Sequence, residues 1–292
     1  MKIAYLILCH KNPHQVERLI KQLNTDNTDF YLHIDKKVRD FKITAGNNVY
    51  YVPKSNRIDV QWASMSMIYA TMMLIKTALK SQKEYDFYFL LSGQDFPIKS
   101  NKYISDFLEN NKGSDFIQIL PHSDPMYIRY SKRNAIYYPD WMFSQNTYVR
   151  ILRKLYIYVT GGYKHTFKLF RRKQKNSIVY EYGSQWWGLR KESLLWIYDF
   201  LKKKENLTRL FGNSLTPDEC VFQTAYMLSP YKTKHQDKVV FLDWAANMNN
   251  PRILTRDDLK LLITDKGNLF ARKFDESVDS TILDWLEKRI NS

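Results

Sequence analysis

Ile3 to Cys9 is an unbroken apolar run, and Pro13 follows soon after. Such a run suits a strand buried on both faces of a parallel sheet. From Pro13 to Leu23 the period changes: Val16, Leu19, Ile20 and Leu23 share one helical face. Residues 30–34 and 48–52 read as two more strands, and 62–79 as a long helix rich in Met, Ala and Leu. Residues 85–91 read as a fourth strand, ending in the turn Ser92-Gly93-Gln94-Asp95-Phe96-Pro97. A short helix over 102–110 and a strand over 116–120 follow. The alternation predicts an α/β fold with a sheet wound by helices. Ligands of such sheets bind beyond the carboxyl ends of the strands, where Asp35 and the 92–97 turn fall.

After residue 176 the pattern is again mixed. Residues 183–189 (GSQWWGL) are strand-like, 193–204 helical and 239–244 a strand. A helix is expected over 218–228, with Thr216 as N-cap, Pro217 in the first position and Glu219 completing a capping box. Thr255 and Asp258 have the same spacing and open another helix, and 283–290 reads as a C-terminal helix.

Charge changes the picture in the middle of the chain. The 292 residues carry 45 Lys+Arg against 30 Asp+Glu, a net +15. Between Asn146 and Lys175 there are nine Lys/Arg and no Asp/Glu, interleaved with apolar residues and split by Gly161-Gly162. Three readings stand: a solvated helical hairpin, a surface for anionic lipid, or a nucleic-acid groove. No apolar run approaches the ~20 residues of a membrane span, and the apolar stretch at the N-terminus is short for a signal-peptide core. The expectation is a cytoplasmic protein, peripheral on the inner face of the membrane if the basic stretch binds lipid.

Two cysteines exclude a disulfide scaffold and a Cys-rich zinc site. The glycines form neither a P-loop nor a dinucleotide fingerprint. There is no GxSxG, HExxH or CxxC, and no Asp-x-Asp to chelate a divalent ion for a nucleotide diphosphate. His10 and His14 are four apart, but Pro13 argues against a regular helix across both.

Several segments together carry a resemblance. They are AYLILCHKN at 4–12, YLHIDKK at 31–37, QWASMSMIYATMMLI at 61–75 and LLSGQDFPIKSN at 90–101. Further on come GSQWWGLRKE at 183–192, TPDECVFQTAYM at 216–227, FLDW at 241–244, NPRILTRDDL at 250–259 and LFARKFD at 269–275. In this order the chain resembles the core-2/I-branching β-1,6-N-acetylglucosaminyltransferase family (glycosyltransferase family 14), which includes the peptide O-xylosyltransferases. It looks like a bacterial-type member. Residues 121–176 match poorly. The resemblance implies a GT-A-type, Rossmann-like mixed sheet flanked by helices, with the basic helical stretch as an insertion. It divides a single domain over 1–292 into a nucleotide-binding half (1–120), a variable basic insertion (121–176) and an acceptor and catalytic half (177–292).

The resemblance also assigns residues. Glu219 matches the family's catalytic base; its other reading is the capping-box acid. Asp218 reads as a first-turn acid favoured by the helix dipole. Arg252 and Lys273 match cations that neutralise the donor diphosphate, with Arg272 as a rival; each is otherwise a solvated cation. Asp35 matches a uridine contact or is a strand-end turn residue, and His10 borders the same pocket. Trp244 matches a wall of the acceptor site, joined by Trp187 and Asp95; Asp95 otherwise caps its turn, and one of Trp186 and Trp187 must face the core.

The activity expected is inverting transfer of a sugar, GlcNAc ahead of xylose, from UDP to a glycan hydroxyl in bacterial surface polysaccharide synthesis. The acceptor would sit on a lipid carrier, with no metal and no further cofactor. The alternatives are a basic nucleic-acid-binding module and an inactive or hydrolytic UDP-sugar-binding relative.

Overall fold

The computed structural model describes residues 1–291, apart from Ala45, Gln145 and residues 172–177, 204–205, 208–209 and 245–250. The first part runs β1 (Ile3–Cys9), α1 (Pro13–Leu23), β2 (Thr28–Ile34), β3 (Val49–Tyr51) and α2 (Met65–Lys80). Next come β4 (Phe87–Ser92), β5 (Asp95–Pro97), α3 (Asn101–Asn110) and β6 (Asp115–Phe116). Three helices follow, α4 (Pro125–Asn134), α5 (Thr147–Val159) and α6 (Tyr163–Leu169), before β7 (Gly188–Arg190) and α7 (Lys191–Leu201). The last part is α8 (Val221–Met227), β8 (His235–Gln236), β9 (Val240–Leu242), α9 (Leu259–Thr264), β10 (Phe270–Arg272) and α10 (Thr281–Asn291).

The main sheet has the order β3-β2-β1-β4-β7-β6-β8. β1 is buried along its whole length, between parallel β2 and β4. β7 is antiparallel to both of its neighbours, so the sheet is mixed. A smaller sheet, β5-β10-β9, supplies the other wall of the site. Its β10 is parallel to β9 and antiparallel to β5.

Helices flank the sheet. α1 buries Val16, Leu19, Ile20 and Leu23, the face read from the sequence. It also buries Gln15, whose side chain donates to the carbonyls of Gly93 (2.9 Å) and Phe274 (3.2 Å) and accepts from the N–H of Glu276 (2.9 Å). α2 starts at Met65 rather than Trp62, because Ala63 is in the left-handed region and Ser64 caps the helix.

Four expectations change. The strand expected over 116–120 is only two residues long in β6. That expected over 183–189 begins at Gly188, because two backbones cross closely just before it. A Cβ on Gly183 would lie 1.9 Å from the carbonyl oxygen of Gln118. The helix expected over 218–228 is a 3-10 turn, Pro217–Glu219, followed by α8. Thr216 has φ 51 and its side chain does not cap, so no capping box forms there. At Thr255 and Asp258 the capping box does form.

The basic stretch contains two helices, α5 and α6, separated by Gly161 and Gly162 at φ 85 and 87. Side chains rarely adopt that conformation. Its Arg172, Lys173 and Lys175 lie outside the described residues. α4 was not expected, although Asp124, which accepts from the N–H of Met126 (2.7 Å), and Pro125 form an ordinary helix start. Among the described residues no helix is long and apolar enough to cross a membrane.

Candidate active site

Parallel pairing places Leu8 beside His33 and Ser92, and Cys9 beside Ile34. His10, Asp35 and the turn after β4 therefore emerge at one edge of the sheet. Asp35 is buried; its N–H donates to the carbonyl of Cys9 (2.8 Å), and its Oδ1 accepts from the N–H of Lys37 (2.9 Å). Lys37 Nζ lies 3.6 Å from Asp35 Oδ2. Partial burial lowers the pKa of His10, the cations Lys11 and Lys273 lower it further, and Asp35 opposes them. Asp35, His10 and Lys273 thus share one electrostatic neighbourhood.

The segment after β10 is held against this edge. Lys11 pairs with Asp275, and Asn12 Nδ2 donates to Asp275 Oδ1 at 2.7 Å. The N–H of Phe274 donates to the carbonyl of Gln94 (2.8 Å), and Gln15 grips both sides of the junction. Between these ties lies Lys273, half-buried, with no hydrogen bond or ion pair to its ammonium among the described residues. Burial lowers its pKa, and Arg272 and Lys11 add to that. An unpaired, partly desolvated cation at a sheet edge gains most from binding an anion.

Deeper in, Asp95 has no exposed surface. Its Oδ2 accepts from the N–H of Ser92 (2.8 Å), and its Oδ1 lies 3.2 Å from Arg272 Nη1. Burial pushes its pKa up to about 6 against the pull of Arg272. The Arg272 guanidinium stacks 4.0 Å from the ring centroid of Trp186. It also faces Asp218, whose Oδ1 is buried without a hydrogen bond.

Glu219 stands next to Asp218 in the 3-10 turn. The N–H of Thr216 donates to the carbonyl of Ala63 (2.9 Å), which ties the turn to the start of α2. The carbonyl of Glu219 accepts from the N–H of Gly183 (3.0 Å). Its Oε1 accepts from the Tyr130 hydroxyl (3.1 Å), and its Oε2 is shut from solvent without a partner. Burial, then the neighbouring Asp218 carboxylate, push the pKa of Glu219 well above the ordinary range, while Tyr130, Arg133 and Thr216 pull it down.

Asp115 provides the contrast. It is as buried as Asp95, but it accepts from Arg190, Ser193 and Tyr226. Buried polar atoms are normally satisfied in this way. Asp115 holds β6, β7, α7 and α8 together, whereas Asp218 and Glu219 keep an oxygen unmatched.

The structure brings Asp35, His10, Asp95, Lys273 and Glu219 into one region and separates two other candidates. Arg252 does not present a free guanidinium. It donates to Asp243 Oδ2 (2.7 Å) through Nε and to both carboxylate oxygens of Asp258, one at 2.8 Å. It therefore braces the capping box at Thr255. Trp187 is 1% exposed and packs on Phe222, so it is a core residue rather than an acceptor wall. Asp95 is likewise sealed and is placed to hold Arg272 rather than to meet an acceptor. Trp244 is 41% exposed just beyond β9. Because Leu242 pairs in parallel with Arg272, Trp244 leaves its sheet at the same end as Lys273.

Tyr130, Arg133 and Gln15 complete the site but were not singled out from the sequence; Trp186, weighed there beside Trp187, is buried and stacks on Arg272. The start signal of α4 at Asp124-Pro125 could have located Tyr130. A cleft of about 420 Å³, lined by Lys37, Gln61, Asp140, Ser144 and Asn146, opens between the segment after Asp35 and the start of α5. A second cleft, of about 300 Å³, is lined by Tyr103, Leu262 and Trp285 and includes none of these groups. Among the described residues no group of three or more His, Cys, Asp or Glu is arranged to hold a metal ion.

The family profile described as Core-2/I-Branching enzyme matches residues 3–262. Xylosyltransferase oxt of Drosophila pseudoobscura pseudoobscura is 24% identical over 99% of this chain and 33% of its own length. A zebrafish (Danio rerio) beta-1,3-galactosyl-O-glycosyl-glycoprotein beta-1,6-N-acetylglucosaminyltransferase 4 is 23% identical over 99% of this chain and 69% of its own. The chain spans about a third of the length of the xylosyltransferases it matches. Among solved structures, the WbbM bifunctional glycosyltransferase in its apo form aligns over 92% of this chain and 45% of its own, with 9% identity and a TM-score of 0.37.

Proposed function

The chain belongs to the Core-2/I-branching enzyme family, and on that premise we propose that it is an inverting glycosyltransferase. It transfers a sugar from UDP to a hydroxyl of a glycan acceptor without a metal ion. GlcNAc and xylose are the donor sugars that the relatives' names suggest, and GlcNAc is the first to test. The acceptor we propose is a surface glycan carried on a lipid at the inner face of the membrane.

One observation carries this reading. Among the described residues a turn-borne carboxylate, Glu219, keeps a buried oxygen without a partner, and the same region holds the ammonium of Lys273, which no described group pairs with. In the step proposed, the acceptor oxygen attacks the anomeric carbon from the face opposite UDP. The bond from that carbon to the UDP oxygen breaks, and its electron pair leaves with UDP. Glu219 takes the acceptor proton as the new bond forms; its raised pKa strengthens it as a base once ionised. Lys273 neutralises the charge that grows on the diphosphate. Arg272, fixed by Asp95 and Trp186, adds positive potential behind it. Asp35 and His10 border the nucleotide, and Trp244 offers an indole face to the acceptor sugar.

The test is a thermal-shift panel of UDP, GDP, CMP and several UDP-sugars in EDTA, followed by transfer assays with the best donor. A UDP-selective rise in Tm and transfer of the sugar support the proposal. Release of free sugar regardless of acceptor would make the protein a hydrolase. A flat panel together with steeply salt-dependent nucleic-acid binding would favour a polyanion-binding module.

A further inference from the structure

α5 shows its apolar side to solvent. Tyr148, Ile151, Leu152, Leu155, Tyr158 and Val159 are between 56 and 82% exposed. At 3.6 residues per turn these six lie on one stripe. Ile157, on the opposite side, is buried, and Arg153 reaches inward to the carbonyl of Met142. A surface helix of a globular protein normally has the reverse arrangement.

Charge identifies what this stripe meets. Lys154 borders one edge of it, and Arg150 lies further round, near the side of Ile157; both are exposed. The surrounding stretch from Asn146 to Lys175 has nine Lys/Arg and no acid. An apolar strip with tyrosines at intervals along it, a cation at its edge and a strongly basic surrounding stretch, has the chemistry of a helix lying in the headgroup region of an anionic bilayer. A protein partner of ordinary surface composition would meet uncompensated positive charge here. The helix adjoins the catalytic side of the molecule: the cleft wall of Asp140, Ser144 and Asn146 leads into it, and α4 of the same insertion carries Tyr130 to Glu219.

The geometry points to α5 as the element that seats this protein on an anionic membrane surface, with Leu152 and Leu155 immersed, Lys154 at the phosphates and Arg150 adding positive potential behind it. The inference is independent of the donor and of the transfer chemistry.

The experiment is flotation of the full chain with phosphatidylcholine vesicles, with and without phosphatidylglycerol, from about 0.1 M to about 1 M salt. Over that range the screening length falls from about 10 to about 3 Å. The expected result is binding to the phosphatidylglycerol vesicles that weakens with salt and is far lower on phosphatidylcholine alone. Leu152→Glu with Leu155→Glu reduces it at least tenfold, and the milder pair Arg150→Gln with Lys154→Gln reduces it several-fold. Both variants should keep the wild-type thermal transition and nucleotide response, which separates loss of docking from loss of fold or of the donor site. The inference is overturned if the wild type ignores anionic vesicles at low salt, or if the Leu→Glu pair floats unchanged. It is also overturned if the wild type sediments as a dimer that the same pair converts to monomer, since a second copy would then cover the stripe.

Discussion

The Tyr130 hydroxyl donates to Glu219 Oε1 at 3.1 Å and leaves Oε2 as the unpartnered oxygen of that carboxylate. One oxygen is thereby oriented by the Tyr130 phenol, and the other, closed to solvent in this structure, is the one a substrate proton would have to reach. Replacing Glu219 with Gln keeps the shape and removes the basicity. Turnover should fall by about 10²–10⁴-fold with donor affinity nearly unchanged; a steady-state assay alongside UDP-sugar titration checks both.

The acid limb of kcat/KM should lie above the ordinary glutamate value of about 4.3, because burial and Asp218 raise the pKa of Glu219. Activity then rises with pH as the base loses its proton. Tyr130 favours the ionised form, so Tyr130→Phe should move this limb to higher pH and lower kcat by about tenfold. A pH–rate profile of both proteins decides it.

Stability should show the opposite dependence on pH. A carboxyl with a raised folded-state pKa binds more protons in the folded than in the unfolded chain. Its contribution is complete below the unfolded pKa and is lost as pH rises through the folded one. Glu219→Gln removes that loss, so the variant should gain in Tm over the wild type between mildly acid and alkaline pH, by about 2–5 °C. Scanning calorimetry at several pH values measures this.

Lys273 and Arg252 should separate cleanly. Lys273→Ala should cost roughly 2–4 kcal/mol of transition-state stabilisation with little change in fold. Arg252→Ala leaves Asp243 and Asp258 without their shared partner and should lower stability by about 1–2 kcal/mol. Any effect on donor binding would follow from that loss. EDTA should not inhibit; loss of activity in EDTA that Mn²⁺ restores would refute the diphosphate assignment.

Gly183→Ala should be severe for so small a change. The new methyl would sit 1.9 Å from a backbone oxygen, which cannot rotate away. The segment must shift, and its hydrogen bond to the Glu219 carbonyl shifts with it. A destabilisation of about 2–3 kcal/mol is expected, with kcat falling more than KM rises; chemical denaturation and kinetics report the two parts.

Much of the sheet edge was legible because it depends on local pattern. The apolar run to Cys9, Pro13 as a helix start and the polar break at Asp35 each announce an element's end. The Glu219 turn was legible in position but not in form. Its Thr-Pro-Asp-Glu string suits a capping box, and only the hold of Ala63 on Thr216 turns Thr216 left-handed. Arg252 depended on Asp243 and Asp258, two acids at spacings that no helix or strand period links to it. Trp186 and Trp187 are both buried, against the expectation that only one faces the core, because their partners Arg272 and Phe222 come from distant parts of the chain. Tyr130 lay in the stretch where the resemblance fails, so no motif pointed to it.

β6 and β7 are hydrogen-bonded neighbours through Phe116 and Gly188, yet the whole insertion lies between them in sequence. The excursion leaves the sheet and returns beside its point of departure. Lengthening such a loop adds closure entropy only logarithmically, about 0.6 kcal/mol per doubling. This junction is therefore a natural splice point, where recombination can exchange one excursion for another with the strands left in place. Any replacement must still supply a donor for Glu219, as Tyr130 does, so the sequence of the excursion is tied to the protonation of a carboxylate outside it.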